Sequence, residues 1–282
     1  MLKSLLRVLS AASLLFAATS ASADPSAASI RLYALDCGRA QFQDMGMFSD
    51  TGEYDGKPGV IADPCFLIVH PRGTLLWDTG LGDALAGQPD GKDAGHGIHL
   101  NVDKTLLQQL REIDLVPDAI SFVGFSHLHF DHTGNAAQFD HATWLISRKE
   151  LAAALSDSPP FGVDPAFLKG RDQSKIEQVD TDRDVFGDGS VQILAAPGHT
   201  PGHQVLLVRL KRAGAVLLSG DLFHTRDNQR LHRVPKINTD RADTLASFDR
   251  VDRIVANQQA RLIVQHDAAD FASLPKFPKY LD

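Results

Sequence analysis

The stretch Ser126-His127-Leu128-His129-Phe130-Asp131-His132-Thr133-Gly134 places four metal-competent side chains, His127, His129, Asp131 and His132, within six positions. Imidazole and carboxylate donors together suit zinc and its neighbours in the first transition row. Packing so many polar groups is costly unless a cation neutralises them. The apolar run Ile120-Ser121-Phe122-Val123-Gly124-Phe125 just before it reads as a buried strand. The histidines therefore fall where a strand gives way to a loop, which is where open α/β layers place their chemistry.

Three later segments repeat that placement. Ala196-Pro197-Gly198-His199-Thr200-Pro201-Gly202-His203 ends a predicted strand over 191–196, Ser219-Gly220-Asp221 ends one over 215–219, and Gln265-His266-Asp267 ends one over 261–265. A His or Asp just beyond each β run argues for one shared edge. Further strands are predicted over 30–35, 65–70, 74–78, 143–146 and 205–210, with a hairpin across Pro71-Arg72-Gly73. Helices are predicted over 103–113, over 148–155, and from a cap at Thr239 or Asp240 to about Gln258. Hairpin strands with helices between and after them predict an α+β protein of two packed mixed sheets covered by helices. Two loops stand out. The first, 39–63, carries Met45, Met47 and Phe48 and reads as an adaptable apolar wall, a plug under the sheet or a dimer contact. The second, 86–101, is rich in Gly, carries His96 and His99, and reads as solvated loop.

The amino terminus reads as a targeting signal. Lys3 and Arg7 precede an apolar run over 8–18, and Ala21-Ser22-Ala23 forms a small-x-small cleavage site. The run is shorter than the ~20 residues a spanning helix needs, so stable membrane insertion is not expected. The expected organisation is a secretory signal peptide over 1–23 and a single large domain over 24–282, located in the periplasm or secreted. Removing the two basic residues of the signal from 28 leaves 26 against 35 acidic ones, a net charge of −9. That balance argues against nucleic acid as a partner. Cys37 and Cys65, the only cysteines, could pair in an oxidising compartment or stay as two small buried hydrophobes.

Taken together, LLWDTG (75–80), SHLHFDHTGN (126–135), APGHTPGHQ (196–204), GAVLLSGD (214–221), QHD (265–267) and the C-terminal FPKYL (277–281) resemble the metallo-β-lactamase superfamily, and within it the N-acyl-homoserine lactonases of the quorum-quenching type. The resemblance spans nearly all of the chain after the signal. It implies a four-layer αββα sandwich and two divalent metal ions, zinc first, with manganese, iron or cobalt also suited. It implies that His127, His129 and His199 hold one metal, that Asp131, His132 and His266 hold the other, and that Asp221 bridges both. A hydroxide between the cations would attack a lactone carbonyl, with Asp131 returning the proton to the leaving alkoxide. Asp78 resembles a residue that orients a ligand histidine, and His203 has no seat in the ligand set. The best-known lactonases of this type carry a Tyr three residues after the bridging Asp; here that place is His224, read as a catalytic group able to donate to an oxyanion. His70, His141 and His232 read as surface residues. The expected substrate is a small-molecule ester or lactone, and a homodimer is compatible with the sequence. The competing readings are another two-metal hydrolase acting on an organophosphate triester, aryl ester, thioester or β-lactam, and an exported zinc-binding protein without turnover.

Overall fold

The computed structural model describes residues 29–88, 90–168 and 175–282; the expected signal, 1–23, lies outside them. The strands are β1 (Arg31–Phe42), β2 (Gly59–His70), β3 (Gly73–Trp77), β4 (Lys92–Gly95), β5 (Ile98–Asn101), β6 (Phe122–Gly124), β7 (Thr143–Ser147), β8 (Ile176–Val179), β9 (Arg183–Asp184), β10 (Val191–Ala195), β11 (Gln204–Leu210), β12 (Gly214–Leu218) and β13 (Arg261–Ile263). The helices are α1 (Leu106–Arg111), α2 (Phe130–Thr133), α3 (Arg148–Ala154), α4 (Arg226–Leu231), α5 (Arg241–Gln258) and α6 (Ala268–Ala272). One sheet runs β4-β5-β1-β2-β3-β6-β7-β8 and the other β13-β12-β11-β10-β9. Both are mixed: β3, β6, β7 and β8 are parallel, as are β12 and β13, and the remaining neighbours are antiparallel.

Strand alternation explains the layers. Along β2, Phe66 and Ile68 enter the core between the sheets, where Val191, Ile193, Leu206, Val208 and Leu218 meet them. Their neighbours Cys65 and Leu67 face the other way, under Leu106 and Leu110 of α1 and Leu151 of α3. On the second sheet, Val205 and Leu207 pack beneath Phe248 and Val251 of α5. A strand buried on both faces reads as a continuous apolar run, as Val205–Val208 does. The result is helix, sheet, sheet, helix, the expected sandwich.

The boundaries of the first predicted loop shift. β1 continues to Phe42 and β2 starts at Gly59, so only 43–58 connects them. A bulge hides the extension, because Cys37 and Gly38 together oppose Asp63 alone and break the period-2 pattern. The second predicted loop holds the β4–β5 hairpin at the sheet edge, with His96 exposed and His99 half-buried. Helix α4, unassigned by periodicity, starts with a capping box between Thr225 and Asn228. Asp240, not Thr239, caps α5. His70 is corrected from surface to core: it is 6% exposed, bonds Asp188 at 2.9 Å and stacks on Phe186. His141 and His232 are exposed, as expected.

Cys37 and Cys65 are disulfide-bonded and stitch β1 to β2. Closing a loop of that length constrains the unfolded chain, so the double variant Cys37→Ala/Cys65→Ala is expected to lose about 3 kcal/mol of stability. Denaturant titration in oxidising buffer measures it; an unchanged midpoint would show that the bond stabilises nothing.

Candidate metal centre

The site lies where β3, β6, β10, β12 and β13 end. Gly220 has φ +50°, and a Cβ there would meet His203 Nε2 at 2.7 Å and Ser126 Cβ at 2.7 Å. Gly198, φ +134°, lies against Thr244 of α5, where a Cβ would stand 2.3 Å from the backbone nitrogen. These loops hold their histidines by letting the backbone come close.

All seven expected ligands converge. His127, His129, His199 and Asp221 form one group able to hold a cation, and Asp131, His132 and His266 form a second. All but Asp131 are buried. Asp221 faces both. Its Oδ1 lies 2.8 Å from His266 Nε2 and 3.0 Å from His132 Nε2, while its Oδ2 lies 3.4 Å from His199 Nε2 and 3.6 Å from His127 Nε2. Asp131 reaches toward the second group, 3.9 Å from both His132 and His266.

Proton chemistry alone leaves this cluster poorly satisfied. His127 Nε2 and Asp221 Oδ1 are buried without a hydrogen bond of normal geometry. His132 Nε2 and His266 Nε2 point at each other across 3.3 Å, as do His129 Nδ1 and His199 Nε2. Orphaned buried donors and acceptors are rare in folded proteins. Nitrogen and carboxylate atoms converging in this way fit two divalent cations, which would take the place of the missing protons.

The charges follow the same division. Burial holds His127 and His199 well below the usual histidine range and brings His129 and His203 to about 4. Burial also opposes a charge on His132 and His266, but the carboxylates overcome it, chiefly Asp221. His132 is raised well above its usual value and His266 to about 9. Burial disfavours the charge of Asp221 as well, and His266, His132, His127 and His224 reverse it, holding the carboxyl well below its usual range.

The outer partners fix the ring orientations. His132 Nδ1 donates to Asp78 Oδ2 at 2.9 Å, and Asp78 also accepts from the Ser126 N–H and from Gln265 Nε2, each at 2.7 Å. Asp78 sits just past β3 with φ +59° and takes the expected orienting role. His266 Nδ1 donates to the Ala62 carbonyl at 2.6 Å. His203 accepts from the Asp221 N–H at 2.9 Å and donates to the Ala196 carbonyl at 3.1 Å. It therefore steadies Asp221 without joining either ligand group. Removing such a partner typically weakens metal affinity 10- to 100-fold. Asp78→Ala is expected to weaken one of two bound metals about that much in chelator competition; equal affinity at both sites would contradict the orienting role.

Sequence reading missed Glu150. This buried acid in the first turn of α3 accepts from the Leu128 N–H at 3.0 Å and the Gly202 N–H at 2.9 Å, joining two ligand loops. Burial raises its pKa. An isolated Glu in a helix carries no local mark of such a role. His224 is buried with both ring nitrogens free of hydrogen bonds, its Nε2 3.1 Å from Asp221 Oδ2. It faces a cavity of about 80 Å³, lined also by Met47, Phe48, Ile61, Phe130 and Asp131. Phe48 packs against the His224 ring at 4.9 Å. Met45 lies beneath, in the cluster with Phe42 and Phe48, so of the three apolar-wall candidates Met47 and Phe48 line the cavity.

An αββα sandwich with two histidine-carboxylate clusters sharing one aspartate at its strand ends defines a class of metal-dependent hydrolase scaffolds. Residues 59–266 match the metallo-beta-lactamase superfamily, and the chain belongs to it. It is 30% identical over 264 residues to the N-acyl homoserine lactonase AttM of Azorhizobium caulinodans, covering 90% of this chain and 99% of that protein. To the N-acyl homoserine lactonase AiiA of Bacillus thuringiensis subsp. kurstaki it is 26% identical over 223 residues, 77% of this chain and 86% of AiiA. It is similar, with a TM-score of 0.78 and 26% identity, to the crystal structure of an N-acyl homoserine lactone hydrolase with the product N-hexanoyl-L-homoserine at its catalytic metal centre. That match covers 89% of this chain and 99% of the other.

Proposed function

We propose that this protein is an exported two-metal lactonase that opens the ring of N-acyl homoserine lactones. The observation that carries the reading is Asp221, whose two oxygens face two separate ligand groups on the floor of an apolar cavity. Whole-length similarity to lactonases supports the substrate class. The Cys37–Cys65 bond supports export, because disulfides persist in oxidising compartments.

His127, His129 and His199 would hold one ion, Asp131, His132 and His266 the other, and Asp221 both. When bound, two such ions supply a hydroxide at neutral pH and a Lewis acid for the lactone carbonyl. Asp131, half-buried at the cavity wall, is placed to carry a proton to the departing alkoxide, which remains tethered to the product as the ring opens. His224 presents an unpartnered ring nitrogen to the same cavity and can donate to the developing oxyanion. Met47 and Phe48 give the acyl chain an apolar surface.

Comparing kcat/KM for short- and long-chain homoserine lactones, paraoxon, an aryl ester, a thioester and a cephalosporin tests the reading on protein of measured metal content. Lactone turnover far below that of any other class would overturn it. His224→Tyr, which restores the phenol of the related lactonases, is expected to keep lactone kcat/KM within about tenfold of the parent, since a single donor to an oxyanion is worth about 10²-fold or more. Abolished turnover would instead show that imidazole has a task phenol cannot perform.

A further inference from the structure

Asp63 is a buried carboxylate at 2% exposure, and neither of its oxygens has a hydrogen-bond partner. It lines the same cavity as Asp131, Asp221, His224 and His266. A buried acid without a hydrogen-bond donor is costly. The bulge in β1 lies directly opposite, so Asp63 faces two residues of its neighbour strand instead of one. Such bulges redirect side chains beside functional sites. The adjacent Ala62 exchanges hydrogen bonds with His266, its N–H donating to the His266 carbonyl at 3.0 Å and its carbonyl accepting from His266 Nδ1 at 2.6 Å. Asp63 is therefore fixed relative to the second ligand group. Ile61, Leu81 and Leu100, which line the cavity with it, offer no side-chain donor.

We propose that Asp63 is a specificity-determining residue that accepts a hydrogen bond from an N–H of the substrate, the amide N–H of an acyl homoserine lactone. The identity of the donor rests on the lactonase reading above. The missing partner is then supplied by the ligand itself. A site built around a buried acceptor rejects an analogue lacking the donor, because the acceptor is left unpaired.

The test compares N-hexanoyl-homoserine lactone with α-hexanoyloxy-γ-butyrolactone, which keeps both carbonyls but has an ester oxygen in place of the N–H. The parent protein is expected to prefer the amide in ring-opening kcat/KM by at least about tenfold. In Asp63→Val that ratio should fall to near unity, with two metals still bound per chain and the melting temperature not lowered. In Asp63→Asn, which keeps a neutral acceptor, the ratio should be intermediate, and this variant decides the matter if the valine form does not fold. A ratio unchanged by both substitutions overturns the proposal, as does loss of a metal, which would place Asp63 among the ligands. A parent that opens neither lactone overturns the lactonase reading and the donor assignment together. A parent that opens both equally leaves the lactonase reading standing and overturns only the role of Asp63.

Discussion

Replacing Asp221 with alanine is expected to release at least one metal ion per chain and to lower kcat/KM by at least about 10³-fold. Among the described residues, Asp221 is the carboxylate placed between both ligand groups, with imidazole nitrogens of His266, His132, His224, His199 and His127 at 2.8 to 3.6 Å. Without it, five buried imidazoles would converge with no carboxylate between the two ligand groups, and two bound cations would lose the charge they share. Elemental analysis alongside single-turnover kinetics measures both effects. Two metals retained at full activity would remove the bridging role. Asp221→Asn keeps the shape and loses the charge, so it should fall between the two; a loss equal to that of alanine would assign the effect to charge.

Stripping the metals is expected to leave a folded protein with its highest stability near neutral pH and a decline on both sides. The signs follow from the site. His266 and His132 have raised pKa values in the metal-free fold. Their stabilising charge is fully present below the ordinary histidine pKa and is lost as pH rises, for His266 through about 9. His129 and His203, brought to about 4, and His127 and His199, lowered further, are buried neutral. The unfolded chain takes up protons at these four as pH falls below about 6.5, and the folded one resists until about 4 or lower. Acid therefore destabilises it. Metal-loaded protein should lose the alkaline decline, because the cations replace the protons that His132 and His266 otherwise need, and should keep an acid limit set by competition between protons and metal. Melting curves of both forms from pH 5 to 10 read this out. A metal-free curve that rises steadily with pH would show that His132 and His266 contribute nothing.

Much of the centre was legible along the chain. His127, His129, Asp131 and His132 lie within one strand-to-loop passage, and His199, Asp221 and His266 each follow their own β run. A strand end is a local feature, marked by an apolar run that stops, so the candidate segments could be located before the fold was known, while the choice of ligands among them came from the family resemblance. The layers were legible for the same reason, since runs such as Val205–Val208 are buried on both faces. Fold boundaries were lost wherever alternation was interrupted: the bulge at Cys37 and Gly38 concealed the second half of β1.

By itself, then, the sequence determined the two packed sheets and the His- and Asp-bearing strand ends, because periodicity and spacing record which side chains are buried and where strands stop. Only the tertiary structure decided which oxygen of Asp221 faces which ligand group, that Cys37 joins Cys65, that Glu150 ties two ligand loops, and that His70 lies inside against Phe186. It alone left Asp63 unpartnered in the cavity wall. These are contacts between distant segments, and a single acid or histidine carries no periodic signal to announce its partner. Their energies depend on burial and on the groups brought opposite, which exist only once the sheets have packed.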